Sequence, residues 1–159
     1  MLNAALMTAT IVAMVHYFPS RDFLQRIVNR DFPVEAVAYL DKRPVPGPMY
    51  NTYYFGGYLV ATGRKTFIDG RGDLFERSGV MGDAVAVSQI KTRPLRILDH
   101  YGIASCLLIK DEPLAVTLAA SPKWKRIYSD GTAALFVRTS GGQDPVSGSA
   151  ATEAKSGTL

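Results

Sequence analysis

Residues 1–20 contain no Lys, Arg, Asp or Glu, and the first charge is Arg21. Residues 2–18 read LNAALMTATIVAMVHYF. A bilayer core is crossed by about 20 apolar residues, so this run stands at the short limit of a span. His16 and Tyr17 close it with the amphipathic rings that favour a membrane interface, and Pro19 stops the helix. A secretory leader would carry a positive start and a clear small-residue cleavage site, so that reading ranks below a membrane span. A further alternative is a buried amphipathic helix of a soluble protein. The expectation is a membrane helix over residues 1–19, followed by an amphipathic linker over residues 20–32. In that linker Arg21, Arg26 and Arg30 alternate with Phe23, Leu24, Ile27 and Val28 at helical spacing, as in an interfacial stretch or a plain surface helix packed on the domain. Those arginines alone would draw the part that follows to the cytoplasmic side.

The rest of the chain has the means to fold. Its 159 residues suit one domain with its own core. Hydrophobic residues make up 47% and charged residues 20%, a globular balance. The net charge of +4 is scattered, which argues against a nucleic-acid partner. A single cysteine, Cys106, excludes an internal disulfide. With only His16 and His100 beside it, a cysteine-based zinc site cannot be completed, and the leading reading calls for neither metal nor cofactor.

Strand and helix signals alternate. Pro33 opens a helix over residues 34–41. Residues 49–55 are rich in aromatics and predict a strand, with Gly56-Gly57 as a turn. Residues 65–69 predict another short strand, and a helix follows from Asp73. Residues 94–101 predict a helix capped by Gly102. The continuous apolar run 103–109 predicts a central strand buried on both faces. Residues 114–120 predict a helix. Residues 124–128 and 133–137 flank Ser129-Asp130-Gly131, a hairpin signal. The fold class read from this order is α/β, a small sandwich with a mixed sheet over residues 33–139, preceded by one N-terminal transmembrane helix. Residues 140–159 are small and polar and predict a disordered tail.

Two clusters could carry chemistry. Asp69-Gly70-Arg71-Gly72-Asp73 lies between a strand end and a helix start, where α/β proteins place ligands. Two carboxylates about an arginine could take a cation, a sugar or a phosphate, or could pair internally and fix the loop. Gly70-x-Gly72 lacks the third glycine of a dinucleotide fingerprint, and Arg71-Gly72-Asp73 is too short to read as an adhesion motif. The second cluster is Asn51, Tyr53, Tyr54, Phe55, Gly56, Gly57 and Tyr58. On a strand, Asn51, Tyr53 and Phe55 would share one face, suited to carbohydrate or lipid headgroups, or would be core aromatics. Cys106 lies in an apolar strand, where a thiol is inert.

In order, the chain offers Phe32-Pro33, Ala36-Val37, Leu40 and Pro46-Gly47. Asn51-x-Tyr53-x-Phe55-Gly56-Gly57-Tyr58-Leu59 comes next, then Phe67-Ile68-Asp69-Gly70-Arg71-x-Asp73-Leu74-Phe75, then Trp124-x-x-x-Tyr128-x-Asp130. Over about residues 30–138 this resembles the C-terminal extracytoplasmic domain of bacterial polytopic membrane proteins related to the C-type glycosyltransferases. Phe55 stands where that pattern has tryptophan and Phe75 where it has tyrosine, so the rings remain without their polar groups.

The resemblance implies an inner-membrane protein with the globular domain extracytoplasmic, and a chain that matches the last span and C-terminal piece of a multi-span protein, as a split gene, a truncation or a stand-alone relative. It implies help in binding an acceptor or a lipid-linked sugar, through Asn51, Tyr53, Asp69, Arg71 and Asp73. Catalysis would need the missing spans, so the chemistry those spans carry is not assigned to residues of this chain, and its catalytic residues stay unassigned. Its partners would be the membrane, the lipid-linked sugar or acceptor, and those spans. The alternatives are a non-catalytic structural or interaction module anchored to the membrane, and a metal-dependent enzyme using Asp69 and Asp73.

Overall fold

A computed structural model describes residues 2–91 and 93–139. The predicted tail, residues 140–159, lies outside them.

Four strands form one mixed sheet in the order β1-β2-β4-β3. They are β1 (Met49–Asn51), β2 (Ser105–Ile109), β3 (Trp124–Ser129) and β4 (Ala133–Arg138). β1 runs parallel to β2, with Tyr50 opposite Cys106, while β4 is antiparallel to both β2 and β3. The α/β class and the mixed sheet are therefore as expected.

Helices cover both faces. On one, α3 (Val34–Lys42) and α4 (Tyr53–Ala61) bury Val37, Leu40, Phe55 and Leu59 against Leu107, Ala133 and Leu135. On the other, α6 (Val80–Ser88), α7 (Pro94–His100) and α8 (Pro113–Ala119) bury Val87, Leu98, Leu114 and Leu118 against Tyr50, Cys106, Leu108 and Phe136. Successive β2 residues thus enter opposite cores, which is why its sequence is apolar without alternation. Pro94 and Pro113 each occupy the first turn of their helix, where a missing amide donor costs nothing. The short α5 (Gly72–Glu76) precedes α6.

At the hairpin, Asp130 locks the turn. Its Oδ1 accepts from the Thr132 and Ala133 amides, both at 2.7 Å, and its Oδ2 accepts from the Tyr128 hydroxyl at 2.7 Å.

Several expectations are corrected. The strand over residues 49–55 ends at Asn51, and α4 begins at Tyr53. Phe55 and Leu59 are four apart and both buried, a helical spacing that packs on α3 and the sheet. Tyr53 is half exposed while Phe55 is buried, so Asn51, Tyr53 and Phe55 do not share a strand face. Gly56-Gly57 is helix interior, not a turn. Residues 65–69 form no strand, because the Asn51 side chain takes the backbone groups that a ladder would use.

The N-terminal helix α1 (Leu2–Tyr17) has 16 residues. At 1.5 Å per residue it is about 24 Å long, against about 30 Å of hydrocarbon. Among the described residues no helix is long and apolar enough to cross a membrane, so the transmembrane helix expected over residues 1–19 is not supported. α1 is nonetheless exposed from Asn3 to Tyr17, with Leu6, Met7, Ile11, Val12, Met14 and Val15 each more than half accessible. The stretch expected as a linker is helix α2 (Arg21–Asp31), whose Ser20 cap accepts from the Phe23 amide at 3.2 Å. Its end is tied to the domain. Thr132 Oγ1 donates to the Arg30 carbonyl at 2.8 Å, and the Phe32 ring stacks on Tyr54 and Tyr58.

Candidate functional site

Asn51 ends β1 with its side chain fully buried. Its Oδ1 accepts from the Phe67 amide at 2.8 Å. Its Nδ2 donates to the Ile68 carbonyl at 2.7 Å and to the Thr52 carbonyl at 3.0 Å. The amide therefore acts as a substitute strand edge for residues 67–68, and its hydrogen-bonding capacity is largely used inside the protein.

That clamp delivers Asp69, which is 1% exposed. Asp69 Oδ1 accepts from the Arg71 amide at 3.0 Å and from Arg71 Nε at 2.9 Å. Its Oδ2 accepts from Arg71 Nη2 at 2.7 Å and from Thr66 Oγ1 at 2.8 Å. This is a bidentate fork with two further donors. The Arg71 guanidinium holds the carboxyl well below the usual carboxylate range, against the opposing effect of burial. The Arg71 side chain is itself 60% exposed, which leaves its outer edge available to a ligand.

Gly56 of α4 packs directly on this loop. A Cβ built there would lie 2.6 Å from Asp69 Cα and closer still to the Ile68 carbonyl oxygen, so only glycine lets the helix approach. The two glycine-rich motifs of the sequence thus meet as one joint: Asn51 and Gly56 from the first, Ile68, Asp69 and Arg71 from the second.

Of the five residues expected to bind a ligand, Asn51, Asp69 and Arg71 come together in that joint. Tyr53 and Asp73 are exposed, and neither makes a side-chain hydrogen bond or ion pair among the described residues. Among those residues no group of three or more His, Cys, Asp or Glu side chains could hold a metal ion. Cys106 is buried, and desolvation pushes its thiol well up, away from the reactive thiolate.

Sequence reasoning missed a neighbouring pair, Thr52 and Glu112. They lie just past the carboxyl ends of the parallel strands β1 and β2, the place where open α/β sheets put their ligands. Thr52 Oγ1 lies 2.8 and 2.9 Å from the two Glu112 carboxylate oxygens, and it accepts from the Ile109 amide at 3.3 Å. Desolvation raises the Glu112 carboxyl to about 7, partly opposed by the Thr52 hydroxyl and the Ile109 amide. A carboxyl poised there can exchange a proton near neutral pH. The only sequence signal was an acidic residue directly before the helix-opening Pro113, which is weak by itself.

A cavity of about 600 Å³ lies elsewhere, beside α7, lined by Asp83, Arg93, Arg96, Ile97 and His100. None of the sequence-predicted site residues lines it.

No family model matches the chain, and no curated protein or solved structure matches it.

Proposed function

We propose that this chain is an extracytoplasmic domain of a C-type glycosyltransferase-like protein of the bacterial inner membrane, assisting the binding of an acceptor or a lipid-linked sugar. The observation that carries this reading is α1, an uncharged helix whose large apolar side chains are exposed on every side. A helix apolar all round needs an apolar medium or a partner. In this reading α1 lodges in the bilayer. α2 lies along its surface, with Phe23 and Leu24 towards the acyl region and its arginines at headgroup level. The link from α2 through Arg30 and Phe32 to the hairpin turn and α4 fixes the domain against that surface.

The ligand then meets side chains of the two motifs that are exposed: Tyr53, Arg71 and Asp73. Asn51 and Asp69 hold the motif joint and do not touch the ligand. No catalytic role is assigned to these residues.

One observation favours a second reading, a structural or interaction module without a ligand: Asn51 and Asp69 are buried and engaged internally. A metal-dependent enzyme on Asp69 and Asp73 has less support, because Arg71 and Thr66 already occupy the Asp69 oxygens.

Titration of a short-chain polyprenyl-phosphate sugar into the full chain in detergent micelles, followed by amide NMR, separates the first two readings. Saturable shifts at Tyr53, Arg71 and Asp73 are expected. Shifts confined to α1 and α2 would leave only the module.

A further inference from the structure

We propose that a cavity at the amino ends of β1 and β2 binds a small organic oxyanion, with Lys65 supplying the charge and the Ser105 hydroxyl a hydrogen bond. The cavity measures about 450 Å³, within the range of small-ligand pockets. It lies apart from the motif joint, and Leu40 and Met49 give it apolar walls.

Three observations point to this ligand. Ser105 lines the cavity and is fully buried, and among the described residues its Oγ is the one buried side-chain polar atom without a hydrogen-bond partner. Buried hydroxyls are nearly always satisfied, and an exception calls for a reason. A ligand acceptor oxygen is such a reason.

Secondly, the lining has a charge to give. Arg64 pairs with Asp41, and those two balance. Lys65 lines the same cavity and makes no ion pair among the described residues, which leaves one net positive charge. Thirdly, a lining that combines these polar groups with the apolar side chains of Leu40, Val45 and Met49 suits a molecule with a short carbon body. A carboxylate or phosphate ester with a second oxygen acceptor meets all three demands. The proposal does not rest on the membrane reading, since the cavity involves neither α1 nor α2.

The test is calorimetric titration of the full chain with glycerol 3-phosphate and lactate, with uncharged glycerol as control. Both anions are expected to bind saturably and glycerol not to bind. Ser105→Ala has a two-sided signature. Affinity falls about tenfold, while the melting temperature of the free protein rises because an unpaired buried hydroxyl is gone. Lys65→Gln weakens the anions about fivefold and leaves the melting temperature unchanged. Displacement of glycerol 3-phosphate by phosphatidylglycerol vesicles assigns the group to a lipid headgroup, and lack of displacement assigns it to a free anion. The proposal is overturned by the absence of saturable anion binding. It is equally overturned if both variants bind like the wild type, or if Ser105→Ala lowers the melting temperature without weakening binding.

Discussion

The side-chain amide of Asn51 donates to the Ile68 carbonyl at 2.7 Å, and so ties the end of a strand to a segment 17 residues further on. Asn51→Ala would leave the Ile68 carbonyl and the Phe67 amide without their partner in a largely buried setting. The expected loss is about 2–4 kcal/mol, read from denaturant midpoints at unchanged slope. A loss below about 0.5 kcal/mol would show that residues 66–69 hold their place without the clamp.

Gly56 and Gly57 are adjacent in α4 and should respond oppositely to alanine. At Gly56 the new Cβ would run into the Ile68 and Asp69 backbone, which cannot swing aside. At Gly57 it meets nothing within 4 Å, on an exposed turn of helix. Gly57→Ala should stabilise by about 0.5–1 kcal/mol, the ordinary helix-propensity gain. Gly56→Ala should destabilise. Thermal melts of the two variants side by side decide it, and equal shifts would contradict the close approach.

Arg71 and Asp73 carry the same motif but different burdens. Arg71→Met removes the fork from a buried carboxylate and should lower the melting temperature, whereas Asp73→Asn should leave it unchanged. Because Asp69 is held below its ordinary value in the folded state, its contribution is complete above that value and fades as pH falls. The wild type should therefore lose stability on acidification more steeply than Arg71→Met. Parallel acid limbs would contradict the pairing.

Glu112 should give the opposite slope. Its carboxyl rises from 4.5 to about 7 on folding, so the native state holds the proton more tightly than the unfolded chain. That contribution is complete below about pH 4.5 and lost as pH climbs through 7. Glu112→Gln keeps an oxygen for the Thr52 hydroxyl and cannot ionise. It should be more stable than the wild type at pH 8 by about 1–3 kcal/mol, with the two curves converging below pH 5. Melting curves between pH 4.5 and 8 supply the measurement, and a constant offset at every pH would contradict it.

The elements legible in the sequence are those whose signal is local. Residues 103–109 announced a strand buried on both faces, residues 94–101 and 114–120 read as helices, and Ser129-Asp130-Gly131 marked the hairpin. The elements missed depend on contacts far along the chain. Tyr53 to Phe55 has strand-like composition, yet Phe55 and Leu59 are buried together against α3 and the sheet. Residues 65–69 have strand-forming residues, but their backbone partner is an asparagine side chain. The pairing of Asp69 with Arg71 was readable at a spacing of two residues, and the structure makes it one side of a joint with Gly56. Glu112 was not readable, since its environment is assembled from Thr52 and Ile109, and only burial perturbs it so strongly.

Flotation of the full chain with vesicles containing phosphatidylglycerol tests the membrane reading most directly. The account predicts that the wild type rises with the lipid. Ile11→Asp together with Val15→Asp, which charge one side of α1, should leave the protein at the bottom of the gradient, with the melting temperature of the domain unchanged. Phe23→Asp should weaken flotation without abolishing it. A wild-type chain that stays at the bottom, or an Ile11→Asp, Val15→Asp variant that floats equally well, would contradict the placement of α1 in the bilayer.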